Sequence, residues 1–384
     1  MKVLIAMDSF KGSISSIEGS KAISQGIHEV YPAAETVTLP LADGGEGTVE
    51  ALVHATSGQW IEKSVTGPLG EPVEALYGIS GDGKTAIIEV AAACGLPLIP
   101  RDSLDPLKAT TYGVGELILD AIDKGCRHFI VGLGGSATND AGVGMLQELG
   151  FRFENNQGEE VGYGGGALAD IEHINTDNIH PSVKECTFQV ACDVKNFLHG
   201  TDGAAYVYGP QKGATDEMVR ELDEGLKHFA ERVRDQLDID IHSIEGAGAA
   251  GGLGAAFSGF LNGQLQSGIE LVLEVIDMEK QLQDVDFVIT GEGMLDGQTS
   301  MGKAPIGVAQ MAKKHGIPVI ALAGAVNQEQ FTLNDRGMTS CFSILSAPMS
   351  LDDAMNSVIA YKNLQFTTNQ LFRLIKGSEA FHSK

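Results

Sequence analysis

Apolar residues fall in short unbroken runs near both ends of the chain. Val3-Leu4-Ile5-Ala6-Met7 predicts a buried strand over 2–7. Ser15-Ser16-Ile17-Glu18 then has capping-box spacing, and Ile23, Ile27 and Val30 follow at helical intervals. A second strand is expected over 36–41, followed by a helix carrying Val49, Leu52 and Val53. The last hundred residues repeat the alternation. Strands over 287–289, 319–323 and 340–345 alternate with helices over 304–315 and 351–375. Continuous apolar strands between amphipathic helices predict a parallel sheet covered on both faces.

The middle of the chain reads differently. A hairpin pattern covers 71–90, glycine-rich loops separate short elements, and a strongly charged helix is expected over 215–237. That helix has nine acids and four bases between Asp216 and Asp240, as a solvated face would. The fold class expected is α/β, a discontinuous, doubly wound, Rossmann-like outer domain with a large inserted α/β (α+β) domain. The outer domain spans 1–66 and 285–384, the inserted one 67–284, and the active site is expected in the interdomain cleft at the strand C-termini. The uncharged stretch 246–269 is too rich in glycine and amides for a membrane span. Its Leu253, Phe257, Phe260, Leu261, Leu265 and Ile269 read as one face of a soluble helix.

Composition narrows the function. Among 384 residues, 51 acids face 26 bases, for a net charge of −25. Such a surface repels nucleic acid and offers no basic patch to anionic lipid. Five scattered cysteines without CxxC spacing argue against a disulfide framework or a zinc site, and the N-terminal apolar run is too short for a signal peptide. A cytoplasmic protein is expected, as a monomer or homodimer. The 49 glycines concentrate in loops where backbone amides can approach a ligand.

Two motif matches lack the context their chemistry needs. Gly78-Ile79-Ser80-Gly81-Asp82-Gly83-Lys84-Thr85 fits the P-loop pattern, but an apolar strand follows it where a phosphate-cradling helix should begin. Gly246-Ala247-Gly248-Ala249-Ala250-Gly251 fits the dinucleotide fingerprint, yet the chain before Glu270 does not resemble the second strand of that unit.

Four other segments put polar groups and glycine directly after expected strands. Asp8-Ser9-Phe10-Lys11-Gly12 follows the first, and Asp43-Gly44-Gly45-Glu46-Gly47-Thr48 the second. Gly132 to Gly142, containing Gly134, Gly135, Ser136, Thr138 and Asn139, follows the strand 129–131 and opens a helix. Its bare amides at a helix N-terminus suit phosphate. Thr290-Gly291-Glu292-Gly293-Met294-Leu295-Asp296-Gly297-Gln298 is expected as a loop after the strand 287–289, with Gly302-Lys303 beyond. Its carboxylates suit Mg²⁺. Asp193 closes the strand 187–191, a good place for a general base, and Lys212 follows in Gly209-Pro210-Gln211-Lys212-Gly213.

With these blocks in this order, the chain resembles the bacterial type I glycerate kinases along essentially its whole length. The resemblance implies an ATP- and Mg²⁺-dependent phosphorylation of D-glycerate, most often at the 2-hydroxyl, on a two-domain α/β fold without a Walker loop. Three positions depart from the family pattern: Phe197 for a proline, Ala141 for a glycine and Met294 for an arginine. In this reading Lys11, Asp43, Gly44, Gly45 and Glu46 bind glycerate. Gly134, Gly135, Ser136, Thr138, Asn139 and Lys212 bind the ATP phosphates. Asp193 is the first choice of base and Asp8 the second. Lys303 or Lys212 offsets transition-state charge, and Mg²⁺ is drawn to Asp193, Glu292 and Asp296. The alternatives are transfer to the 3-hydroxyl, a nicotinamide-dependent hydroxyacid dehydrogenase, and a non-catalytic protein that binds a small acid.

Overall fold

The computed structural model describes residues 1–296, 303–327 and 331–382; of the residues singled out above, Gly297, Gln298 and Gly302 lie outside them. Among the described residues the strands run in chain order as β1 (Lys2–Met7), β2 (Glu35–Thr38), β3 (Gln59–Thr66), β4 (Pro72–Ile79), β5 (Thr85–Glu89), β6 (His128–Gly132), β7 (Arg152–Glu154), β8 (His173–Asn175), β9 (Thr187–Ala191), β10 (Gln264–Gln266), β11 (Phe287–Leu295), β12 (Val319–Val326) and β13 (Ser340–Ser343). They divide between two compact units. Unit 1 comprises Met1–Asp43, Glu50–Ala55 and Ile269–Lys384, and unit 2 comprises Gly44–Val49 and Thr56–Gly268.

Unit 1 is built on a five-stranded sheet in the order β13-β12-β11-β1-β2, every pair parallel. Counted within the unit, that order is 2-1-3-4-5 with the chain reversing direction across the sheet between β1 and β11. Such a reversal is where parallel sheets bind ligands, outside the strand C-termini. Residues 3–7 of β1 are all buried, because the strand has neighbours on both faces. Val3, Ile5 and Met7 share one core cluster with Ile23 and Ile27 of the helix Ser16–His28 and Phe372 of the helix Ser357–His382. The Ser15 hydroxyl accepts from the Glu18 amide and caps the first of these helices.

Unit 2 holds a six-stranded sheet ordered β10-β9-β6-β5-β4-β3. Its first four strands are parallel, and β5-β4 and β4-β3 are antiparallel. A small antiparallel pair, β7 with β8, lies apart. The charged helix Asp216–Leu237 is amphipathic rather than merely solvated: Leu222, Leu226, Phe229 and Val233 are fully buried along one face.

Several sequence expectations shift. The boundaries expected at 66/67 and 284/285 fall elsewhere, since β3 pairs with β4 in unit 2 and the chain returns to unit 1 at Ile269. The helix expected over 351–375 is two, Leu351–Met355 and Ser357–His382. The stretch 246–269 is not one helical face but a helix Leu253–Phe260, then β10, then a helix from Gly268. Two consecutive residues before it, Ala250 and Gly251, have positive φ, which breaks any continuous helix. No helix among the described residues is long and apolar enough to cross a membrane.

The P-loop match is the turn of a hairpin. Gly78 pairs with Ile87 across β4 and β5, and the Asp82 carboxylate accepts from Ser80 Oγ and from the Lys84 and Thr85 amides at 2.8 and 3.1 Å. These bonds outweigh the opposing effect of burial and hold the Asp82 carboxyl down at about 2. The turn thus serves the hairpin, and its amides face their own aspartate.

Candidate active site

Unit 1 gathers charged groups at the reversal of its sheet. Asp8 follows β1, its amide donates to Gly291 O of β11 at 2.9 Å, and Met7 stands opposite Gly291 in the ladder. Glu292 is therefore the next residue along β11, and it is 7% exposed. Burial, the Asp43 charge and the Glu292 charge together push the Asp8 carboxyl up from 3.8 to about 7, against the Ser9 amide and Lys11. Lys11 Nζ reaches Asp43 at 3.1 Å, with the lysine largely exposed. Lys303, the residue before the helix Ala304–Lys314, brings its ammonium to 3.8 Å from Glu292. The hydroxyls of Ser9, Ser13 and Thr290 are buried without a hydrogen-bond partner among the described residues.

The segment around Glu292 is strand, where the sequence suggested a loop. β11 runs on through Leu295 and pairs Glu292 with Ala323 and Met294 with Ala325. Glycine at 291 permits this, since a Cβ there would sit 1.8 Å from Leu322 O and 2.8 Å from Met7 Cε. Because Glu292 is already on a strand that ends three residues later, Asp296 lies about 13 Å further along an extended chain. Among the described residues, no three histidine, cysteine or acidic side chains are grouped so as to hold a metal ion.

Unit 2 brings together the second and third glycine-rich segments. A Cβ on Gly132 would meet Gly44 O at 2.4 Å, and one on Gly134 would meet Gly45 Cα at 2.9 Å. Gly44 itself has φ +87° and its backbone lies against Ala191 and Gly268. Close backbone approach, available only to glycine, packs these loops together at the ends of β6 and β9. Glu46 is exposed at the tip. Glu89, at the end of β5, accepts from the Val49 amide at 2.9 Å and from the Gly47 and Thr48 backbone, and so pins the 44–48 loop. Burial pushes its carboxyl up, and those bonds oppose the rise.

The helix after the third segment is not an open anion site. It is the six-residue Val143–Glu148, and its first amides are already spoken for. Gly142 and Gly144 donate to the Asp140 carboxylate at 3.1 and 3.3 Å, Val143 to Asp140 O at 2.9 Å, and Met145 to Thr111 Oγ1 at 3.0 Å. Asp140 also accepts from the Thr111 amide and hydroxyl, both at 2.8 Å. The chain's own carboxylate takes the place expected for phosphate. The candidates that remain are upstream: Gly134, Gly135 with φ +77°, Ser136, Thr138, and Asn139, whose buried side-chain amide has no partner among the described residues.

Lys212 braces this loop from within. It is 2% exposed and donates to Ser136 Oγ at 3.2 Å and to Thr138 O at 2.7 Å. Burial lowers its pKa to about 8, with Cys94 and Asp140 working the other way, so it stays mostly protonated at neutral pH. Asp193 follows β9, is exposed, and accepts the Gly268 amide on Oδ1 at 3.0 Å. Ala141, where the resemblance leads one to expect glycine, has φ +53°, a conformation costly for a residue with a Cβ.

Sequence reasoning overlooked three contributors: Asp140, Glu89 and Gly268. Asp140 was visible only as part of a motif, although an acid just before a helix is a capping signal. Glu89 was visible as an acid at the end of an apolar strand, and Gly268 carried no signal.

A model of the glycerate kinase family matches residues 3–376. The glycerate 2-kinase of Escherichia coli (strain K12) is 48% identical over 364 residues, covering 95% of each chain. The glycerate kinase of Bacillus subtilis (strain 168) is 49% identical over 361 residues, 94% of each. A crystal structure ascribed to a glycerate kinase 2 of Salmonella typhimurium LT2 superposes with a TM-score of 0.90 at 46% identity, covering 99% of both chains.

Proposed function

The chain belongs to the glycerate kinase family of phosphotransferases, and on that footing we propose that it transfers the γ-phosphoryl group of ATP to the 2-hydroxyl of D-glycerate. The observation that carries the reading is Asp8, an acid at the reversal of a parallel sheet whose carboxyl lies at about 7. A base poised near the working pH is suited to accept a hydroxyl proton. This favours Asp8 over Asp193, which is exposed. Lys11, beside Asp43, supplies a cation for the glycerate carboxylate, and the orphaned Ser9, Ser13 and Thr290 hydroxyls suit a polyhydroxylated substrate.

The ATP phosphates are assigned to the amides of Gly134, Gly135 and Ser136 and to the Asn139 side chain. The buried Lys212 ammonium lends the loop positive potential. Gly44, Gly45 and Glu46 keep their assignment to the substrate side. Electrostatic positioning is the main demand of phosphoryl transfer, and Lys303 is the candidate to offset charge that develops near Glu292.

The surplus of carboxylates around Asp8 fits a cation. Mg²⁺ would be held by Glu292, with Asp193 and Asp296 as further candidates, and when bound it neutralises phosphate charge. One or two protein carboxylates suffice for such an ion, so a three-ligand cage is not needed.

A coupled assay of ADP release tests the activity, and ³¹P NMR of the product tests the position of transfer. D-glycerate-dependent ADP with a 2-phosphate signal is the expected result. A 3-phosphate signal replaces the regiochemistry, and no ADP defeats the reading. The dehydrogenase alternative is not favoured: the Gly246–Gly251 segment leads from turns into a short 3₁₀ turn, not from a strand.

A further inference from the structure

We infer that unit 2 carries a binding site for a small organic monoanion with a flat apolar body, separate from the strand-end loops. The site is a cavity of about 710 Å³ at the β10 edge of the sheet. That volume is in the range of small-ligand pockets. Its apolar wall includes Phe151, Phe188 and Phe260. Phe151 meets Phe260 edge-on with centroids 5.5 Å apart, but Phe151 and Phe188 are only 4% and 2% exposed, so the open apolar surface comes from Ile179, Leu237, Ile239 and Phe260. Flat apolar groups pack well against such faces. The amides of Gln189 and Gln264, which stand opposite each other across β9 and β10, supply hydrogen-bonding groups.

The charge of the lining is the selective feature. None of its sixteen described residues is acidic, and Lys184 is its one charged group. In a chain with 51 acids among 384 residues, a patch of that size would ordinarily hold about two. The acids nearest in sequence, Asp177, Glu185, Asp238 and Asp240, lie outside the lining, so Lys184 is the one charged side chain a bound ligand would touch. A single lysine matches one negative charge, whereas a nucleoside triphosphate would bring several charges to one cation. The position is distinct as well. Gln189 precedes Asp193 by four residues, about 13 Å along an extended strand.

The test is a fluorescence titration of the intact protein with 8-anilinonaphthalene-1-sulfonate, an aromatic monoanion. One saturable site per chain is expected, unchanged by saturating ATP and D-glycerate. Lys184→Glu, at an exposed position, should weaken the binding about tenfold by turning attraction into repulsion. Gln264→Trp on the exposed edge strand should weaken it by narrowing the cavity and removing one hydrogen-bonding amide. Absence of saturable binding, equal binding in Lys184→Glu, or displacement by ATP or D-glycerate would overturn the inference. The readout is binding alone, so it stands or falls independently of the kinase reading, and Lys184→Glu decides the matter even if the tryptophan variant does not fold.

Discussion

Asp8→Asn separates the electrostatic state of the site from its chemistry. The oxygen of the introduced carboxamide can still accept the Ser9 amide, a bond of 2.6 Å to Asp8 Oδ1, while carrying no charge into a pocket only 4% exposed. Burial, Asp43 and Glu292 raise the Asp8 carboxyl from 3.8 to about 7. Below 3.8 the group is protonated in both folded and unfolded chains and costs nothing. Between 3.8 and about 7 the folded state holds a proton that the unfolded state has lost, so stability falls as pH rises. Above about 7 the cost levels off at about 4 kcal/mol, of which about 3 kcal/mol accumulates between pH 5 and pH 8. Urea denaturation at those two pH values should therefore show the variant gaining on the wild type by about that amount. Turnover should move the opposite way, falling at least about a hundredfold, and wild-type kcat/KM should rise with pH through about 7. A stability difference that is the same at both pH values would refute the argument that Asp8 is ionised at a cost in the folded protein.

Other substitutions probe single parts of the site. Lys11→Ala should raise the KM for D-glycerate far more than the KM for ATP in steady-state kinetics; the reverse pattern would move Lys11 to the phosphate side. Lys212→Met removes a buried charge that is bonded to Ser136 and Thr138, and should raise the KM for ATP by about tenfold or more. An unchanged ATP response would detach Lys212 from that loop's role. Gly44→Ala places a Cβ 2.5 Å from that of Ala191 at φ +87°, and should destabilise unit 2 by more than about 2 kcal/mol in urea denaturation. Gly47→Ala has φ +91° but no atom within 4 Å of the new Cβ, so its cost should stay near about 1 kcal/mol. Equal losses would show that close packing of the Gly44 backbone contributes nothing.

The parallel sheet of unit 1 was legible because its strands are unbroken apolar runs and its first helix carries its own cap. The strand ends were legible too, and they brought Asp8, Lys11, Asp43 and Asp193 into view. What stayed hidden depended on partners distant in sequence. Gly291 and Gly293 look like loop residues until β12 lies alongside and leaves no room for a Cβ at 291. The amides at the start of the helix Val143–Glu148 look available until Asp140 and Thr111 are seen to occupy them. The raised carboxyl of Asp8 comes first from burial, with Asp43 and Glu292 adding to it, and no local window of sequence contains all three acids.

The pairing of β1 with β11 has a consequence for synthesis of the chain. β1 can pair with β2 once residue 38 has emerged from the ribosome, but its other edge must wait for Phe287, the partner of Val3. At ordinary translation speeds of about 5–20 residues per second, that wait is on the order of fifteen seconds to a minute. All of unit 2 emerges in the interval and can fold before the centre of unit 1 is complete. Throughout that time a strand apolar from Val3 to Met7 presents an open edge, the feature most prone to pairing with another chain. Slowing elongation across the middle of the message should therefore lower the yield of active protein more than the same delay placed after β13.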